Sequence, residues 1–141
     1  MLDLPRNAYL PGLTPRPAEG AYDALKAVRD PLPDSPAWHA GLRFFEAGYY
    51  WEAHEVWEVV WMTARANSAE RALVQGMIQL ANAGLKRRMG RERAALRLDT
   101  LAGAILAEAL ARGGAEVMRL TPEGIAAAQR AVQDQELHYN A

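Results

Sequence analysis

From Ser35 to Gln135 apolar residues recur with the 3.6-residue period of an α-helix, and the interruptions fall where helices start and stop. Ser35 can cap a helix, and Pro36 suits a first turn, where its missing N–H costs nothing. The pattern runs on through Trp38, Leu42, Phe44 and Phe45 to a stop at Gly48. A further helix is predicted over residues 50–64. Asn67 and Glu70 have capping-box spacing ahead of another over 68–89, closed by Gly90. The next, over 91–112, ends at the Gly113-Gly114 pair, and Thr121 with Pro122 opens a last helix to Gln135. No segment alternates with period two over a useful length, so a sheet would have no face to bury. Short connections between long helices make sequential neighbours antiparallel. The expected fold class is therefore all-α, a compact antiparallel bundle of five to six helices.

Ahead of the bundle, residues 1–17 carry four prolines (Pro5, Pro11, Pro15, Pro17) and the turn pair Pro11-Gly12. Such a stretch cannot propagate a helix. It reads as an extended N-terminal arm pinned by Tyr9, Leu10 and Leu13, with residues 18–141 forming a single helical domain. A short helix over 18–29 is expected to open that domain, before Pro31 and Pro33 stop it.

Composition narrows the function classes. Half the residues are hydrophobic and 23% charged, the range of a globular core-forming chain. The formal net charge of −1 gives no global field to recruit nucleic acid or anionic membrane. The absence of cysteine excludes a disulfide framework, a thiolate zinc site and a cysteine nucleophile. The start lacks the basic and apolar regions of a signal peptide, and no apolar run approaches the ~20 residues that span a bilayer. A cytoplasmic location with no membrane partner is expected.

The stretch with most chemical content is FFEAGYYWEAHEVWEVVW, Phe44 to Trp61. At about 100° per residue, Tyr50, Ala53, Trp57, Val60 and Trp61 gather on one face, which must look into the core. His54 lies beside the two indoles on that face and Glu58 borders it, one turn on. Glu52 and Glu55 fall opposite and are expected to meet water. A carboxylate at the margin of a core must be paired, hydrogen-bonded or neutralised. His54 and Glu58 either satisfy one another as a structural pair or form a metal or acid/base site. The spacing His54-Glu55-x-x-Glu58 departs from the H-E-x-x-H helix of zinc proteases at its second histidine. A catalytic zinc normally has three protein ligands, so a third would have to come from elsewhere. His39, Glu46 and Gln79 are candidates, and His138, near the C-terminus, is a poor one.

Two further features stand out. Arg71, Gln75, Gln79, Asn82 and Lys86 form one polar stripe in which three of the five are neutral amides, suited to directional hydrogen bonding. The turn KRRMGRER gathers Lys86, Arg87, Arg88, Arg91 and Arg93 at a helix C-terminus, where cations complement the macrodipole. Aromatic interleaving and a wider basic excess are missing, so nucleic acid is not an expected partner.

The run FFEAGYYWEAHEVWEVVW, followed by ALVQGMIQLANAGLKRRMG and an Ala/Leu-rich helix, resembles the family catalogued as domain of unknown function 309. The similarity covers Trp38 to Leu110, and the arm YLPGLTPRP is similar to the N-terminal extension of some bacterial members. The resemblance implies a compact all-helical fold. Members carry the general label of predicted metal-dependent hydrolases. Gly48, Tyr50, Glu52, His54, Glu55, Glu58, Trp61, Gln75, Gln79 and Lys86 match its motif positions, with no assigned catalytic role to carry onto any of them.

Two functions follow. In one, His54 and Glu58 bind a divalent metal ion and Glu55 or Glu52 acts as base toward a bound water in a metal-dependent hydrolase. In the other, the chain is a non-catalytic module for a small molecule or protein partner. There His54, Glu58, Gln75 and Gln79 form a hydrogen-bonded pocket walled by Trp57 and Trp61, with Tyr50 and Lys86 as further ligand-binding residues. Trp38, Trp51, Phe44 and Phe45 belong either to the core or to a homodimer interface.

Overall fold

In the computed structural model residues 2–139 are described, with side chains described for residues 2–135. The described chain is all-helical: α1 (Pro36–Glu46), α2 (Tyr50–Thr63), α3 (Ala69–Arg88), α4 (Glu92–Gly113) and α5 (Pro122–Tyr139). Each boundary falls within a few residues of the sequence reading, because the punctuation is local chemistry. Two caps differ in detail. Ser68, not Asn67, caps α3, its hydroxyl accepting from the Arg71 N–H at 3.0 Å, while Asn67 takes the left-handed φ of 65° before it. Ser35 holds the N-cap position of α1, but its hydroxyl is turned to Arg29, accepting from its N–H and donating to its carbonyl.

Residues 18–29 do not form the expected α-helix. They hold a single 3₁₀ turn, Asp23–Leu25, followed by a second at Leu32–Asp34. The segment is short and opens beside Gly20, whose φ of 76° is left-handed. Tyr22, Leu25 and Val28, three apart, rest on the core at a repeat that suits 3₁₀ winding.

α3 is the central element. Its connections to α2 and α4 are short, so each neighbour folds back along it, α2 on one side and α4 on the other. α1 packs on α2, and α5 packs on α3. Glycines permit close approach, two of them to aromatic rings. A side chain at Gly41 would overlap the Trp57 indole, and one at Gly84 would come within 2.8 Å of the Tyr50 ring. The core gathers Trp38, Phe44, Val56, Trp57, Leu73, Met77, Leu80 and Leu106, all sealed from solvent. Trp38, Phe44 and Phe45 thus lie inside one chain. No described helix is long and apolar enough to cross a membrane.

The Pro-rich arm lies against α2. Ala8 and Leu10 are buried, and the Tyr49 hydroxyl donates to the Pro5 carbonyl at 2.5 Å. Tyr9 meets Trp51 edge to face at 4.9 Å. Leu13, expected to help pin the arm, is instead 59% exposed.

Candidate functional site

α2 does not present the face that the sequence pattern indicates. Its sealed residues are Glu52, Ala53, Val56, Trp57 and Val60, so the core stripe is centred further toward Val56 and Glu52 than the indole pair implies. Trp61 is only half-buried, with the Arg71 guanidinium 4.2 Å above its ring. His54 and Glu58, carried with it, sit on the solvent side of the helix rather than facing into the domain. They do form a pair, Nε2 to Oε2 at 3.2 Å, with side chains 30% and 53% exposed. An i,i+4 pair this open is worth about 0.3–0.5 kcal/mol.

Among the described residues the donors for a metal are too few. Among the described residues no group of three His, Cys, Asp or Glu side chains could hold an ion. Glu55 turns to Lys26 at 3.6 Å, and His39 is exposed on α1. The side chain of His138 lies outside the described residues. His54 and Glu58 alone do not fit a divalent ion that needs three or more protein ligands.

The polar stripe of α3 is where the sequence reading puts it, but it is not joined to the pair. Gln79 accepts from Asn82 at 3.5 Å, Gln75 is exposed, and Lys86 is half-buried. No hydrogen bond among the described residues links His54 or Glu58 to Gln75 or Gln79. Trp57 is no pocket wall: it is fully sealed and donates its Nε1–H to the Trp38 carbonyl at 3.1 Å.

Glu52, expected in water, is fully buried beneath the arm. One carboxylate oxygen accepts the Tyr9 N–H at 2.8 Å, and the other, Oε1, has no partner. Burial pushes its pKa up from the ordinary value, against the Tyr9 hydrogen bond and the more distant Arg88 charge, which pull it down. Nearby Tyr22 is pushed up to about 12, first by its own burial and then by the charges of Glu52 and Tyr49. An α2 wheel drawn alone cannot show this, because what covers Glu52 comes from 43 residues away.

The KRRMGRER turn is also not a uniformly solvated helix end. Arg87 is buried, its Nη2 bonded to Asp99 Oδ2 of α4 at 2.8 Å and its Nη1 donating to the Val132 carbonyl of α5 at 3.3 Å. Three helices are tied there by one guanidinium. Arg88, the next residue, points to the other side and donates to the Gly48 carbonyl at 2.7 Å.

Arg88 borders a groove of about 780 Å³ between the C-terminal end of α1, α3 and α5. Its walls are mainly apolar, with Leu42, Phe45, Met77, Leu120 and the alanines of α5. Tyr50 reaches it from α2. The residue is 5% exposed, yet its hydroxyl has no hydrogen-bond partner among the described residues and is not sealed off. Burial raises the Tyr50 pKa, and Arg88 and Arg87 oppose the rise. Of the residues singled out in the sequence, Tyr50 lines this groove as a ligand-binding residue and Glu46, a candidate metal ligand, borders it, whereas Arg88, Phe45 and the α5 wall were given no ligand-binding part. A groove of this size and lining is of the kind that takes a small molecule.

Neither the curated proteins nor the solved structures include a match to this chain. The family described as Domain of unknown function (DUF309) matches residues 38–98, which run from α1 through α3 into α4 and include Tyr50, the His54–Glu58 pair, Arg87 and Arg88. Over that segment the chain is similar to the DUF309 family.

Proposed function

We propose that this protein is a non-catalytic binding module for a small molecule, with its site in the groove between α1, α3 and α5. The observation that carries the reading is Tyr50, a tyrosine 5% exposed that lines the groove together with Arg88 and whose hydroxyl has no hydrogen-bond partner among the described residues. A buried polar group usually has a partner, so one left open to a cavity is available to a ligand. The hydrolase reading, centred on His54 and Glu58 with Glu55 or Glu52 as base, has less support. Its donors number two, Glu55 is engaged by Lys26, and Glu52 is enclosed by the arm.

An anionic naphthalene dye that fluoresces in apolar surroundings tests the site. Wild-type protein should enhance its emission saturably. Ala127→Trp, which places an indole on an exposed position of the groove wall, should abolish the enhancement while leaving the helical circular dichroism unchanged. Equal enhancement by the filled variant would remove the groove as the site.

A further inference from the structure

The groove has a chemical polarity, and it runs in one direction. Its walls are apolar along Leu42, Phe45, Met77 and Leu120. Both polar groups contributed by buried or half-buried residues of α2 and α3 are hydrogen-bond donors: the Tyr50 hydroxyl and the Arg88 guanidinium. Arg88 uses one N–H on the Gly48 carbonyl and makes no ion pair with a carboxylate among the described residues. Its remaining donors are not sealed off, and burial has already removed part of their hydration. Neither donor is bonded to a side-chain acceptor of the groove among the described residues: Gln135 directs its amide N–H to the Gly84 carbonyl, and Glu46 and Asp134 make no bond to Arg88 or Tyr50, so the cation and the hydroxyl suit an anion.

Resting on the groove as the binding site, we infer that its ligand is an apolar monocarboxylate, a hydrocarbon tail along the α1–α5 walls with its carboxylate on Arg88 and Tyr50. A guanidinium presents parallel N–H groups that match the two oxygens of a carboxylate, and such charge-assisted bonds are among the stronger ones available. The two acids that border the groove, Glu46 and Asp134, are exposed at its rim. Water screens them from a single buried charge, but they oppose a dianion more strongly, which favours a carboxylate over a phosphate monoester.

Calorimetric titration of the full chain with decanoate, decanol and decyl phosphate tests this. Decanoate should bind at least about tenfold more tightly than decanol, the ratio expected for one charge-assisted contact. Decyl phosphate should be weaker than decanoate. In Arg88→Met the decanoate affinity should fall to that of decanol, while decanol binding is retained and so reports an intact groove. Tyr50→Phe, which keeps the ring against Gly84, should cost decanoate several-fold and decanol little. If decanol binds as tightly as decanoate, or Arg88→Met leaves their ratio unchanged, the carboxylate inference falls and the groove stands. Tighter binding of decyl phosphate replaces the carboxylate with a phosphate ligand. If none of the three binds, the site reading falls with it.

Discussion

Replacing Glu52 tests the physical account of the arm. The carboxylate is fully buried, with one oxygen accepting the Tyr9 N–H and the other unpartnered. Glu52→Ala would remove the acceptor and leave the Tyr9 N–H without a partner under the arm, at a cost of about 1–3 kcal/mol. The space left by the deleted side chain adds to that, for a total of about 2–4 kcal/mol. Glu52→Gln keeps an acceptor for Tyr9 and removes the charge, so its loss at neutral pH should be much smaller, about 1 kcal/mol or less.

The pH dependence separates the two effects. Because burial raises the Glu52 pKa in the folded state, the folded chain holds this proton over a range in which the unfolded chain has released it. The associated stability is fully present below the ordinary value of 4.5 and is lost as pH rises through the raised folded value. Urea unfolding followed by tryptophan fluorescence between pH 4.5 and 8 should therefore show the advantage of wild type over Glu52→Gln shrinking as pH rises. An advantage that grows with pH would mean that the ionised carboxylate is the stabilised form, and the desolvation argument would be wrong.

Three other outcomes follow from the geometry of the ion pairs and of the candidate metal donors. His54→Ala and Glu58→Ala should each change stability by less than about 0.5 kcal/mol, since the pair is open to solvent. Treatment of untagged wild type with a chelator should leave its melting temperature unchanged; a clear drop would restore the metal reading. Asp99→Ala should cost up to about 3–5 kcal/mol, because it leaves the buried Arg87 guanidinium only the exposed Glu92 carboxylate, 3.5 Å away, as a counter-charge. Adding Arg87→Met should recover part of that loss, and strict additivity in the double-mutant cycle would show that the two charges are not coupled.

The helices were legible because the residues that end them act locally. Gly48, Gly90 and Gly114 take φ values of 83°, 78° and 89°, which other residues rarely adopt, and Pro36 and Pro122 stand where helices begin. The site was less legible because burial is a property of partners. On α2 the large indoles at Trp57 and Trp61 drew the inferred core face toward themselves, whereas the real stripe passes through Val56, a small residue with no special signature. That rotation moved His54 outward and left Glu52 to be enclosed by an arm that α2 itself does not encode.

Arg87 was readable by a stricter use of the same periodicity. Leu73, Gly76, Leu80, Ala83 and Arg87 step along α3 by alternating threes and fours, and all are buried. Ala95, Asp99, Ala102, Leu106 and Ala109 step in the same way along α4, all buried but Asp99, the single charge, whose side chain is 11% exposed. One positive residue on one apolar stripe and one negative residue on the stripe packed against it have each other as their natural partners. Arg88, about 100° further round the helix, cannot share that environment. Two adjacent arginines that composition would count together as a basic patch are thereby separated, one closing the α3–α4–α5 junction and the other left facing a groove with donors to spare.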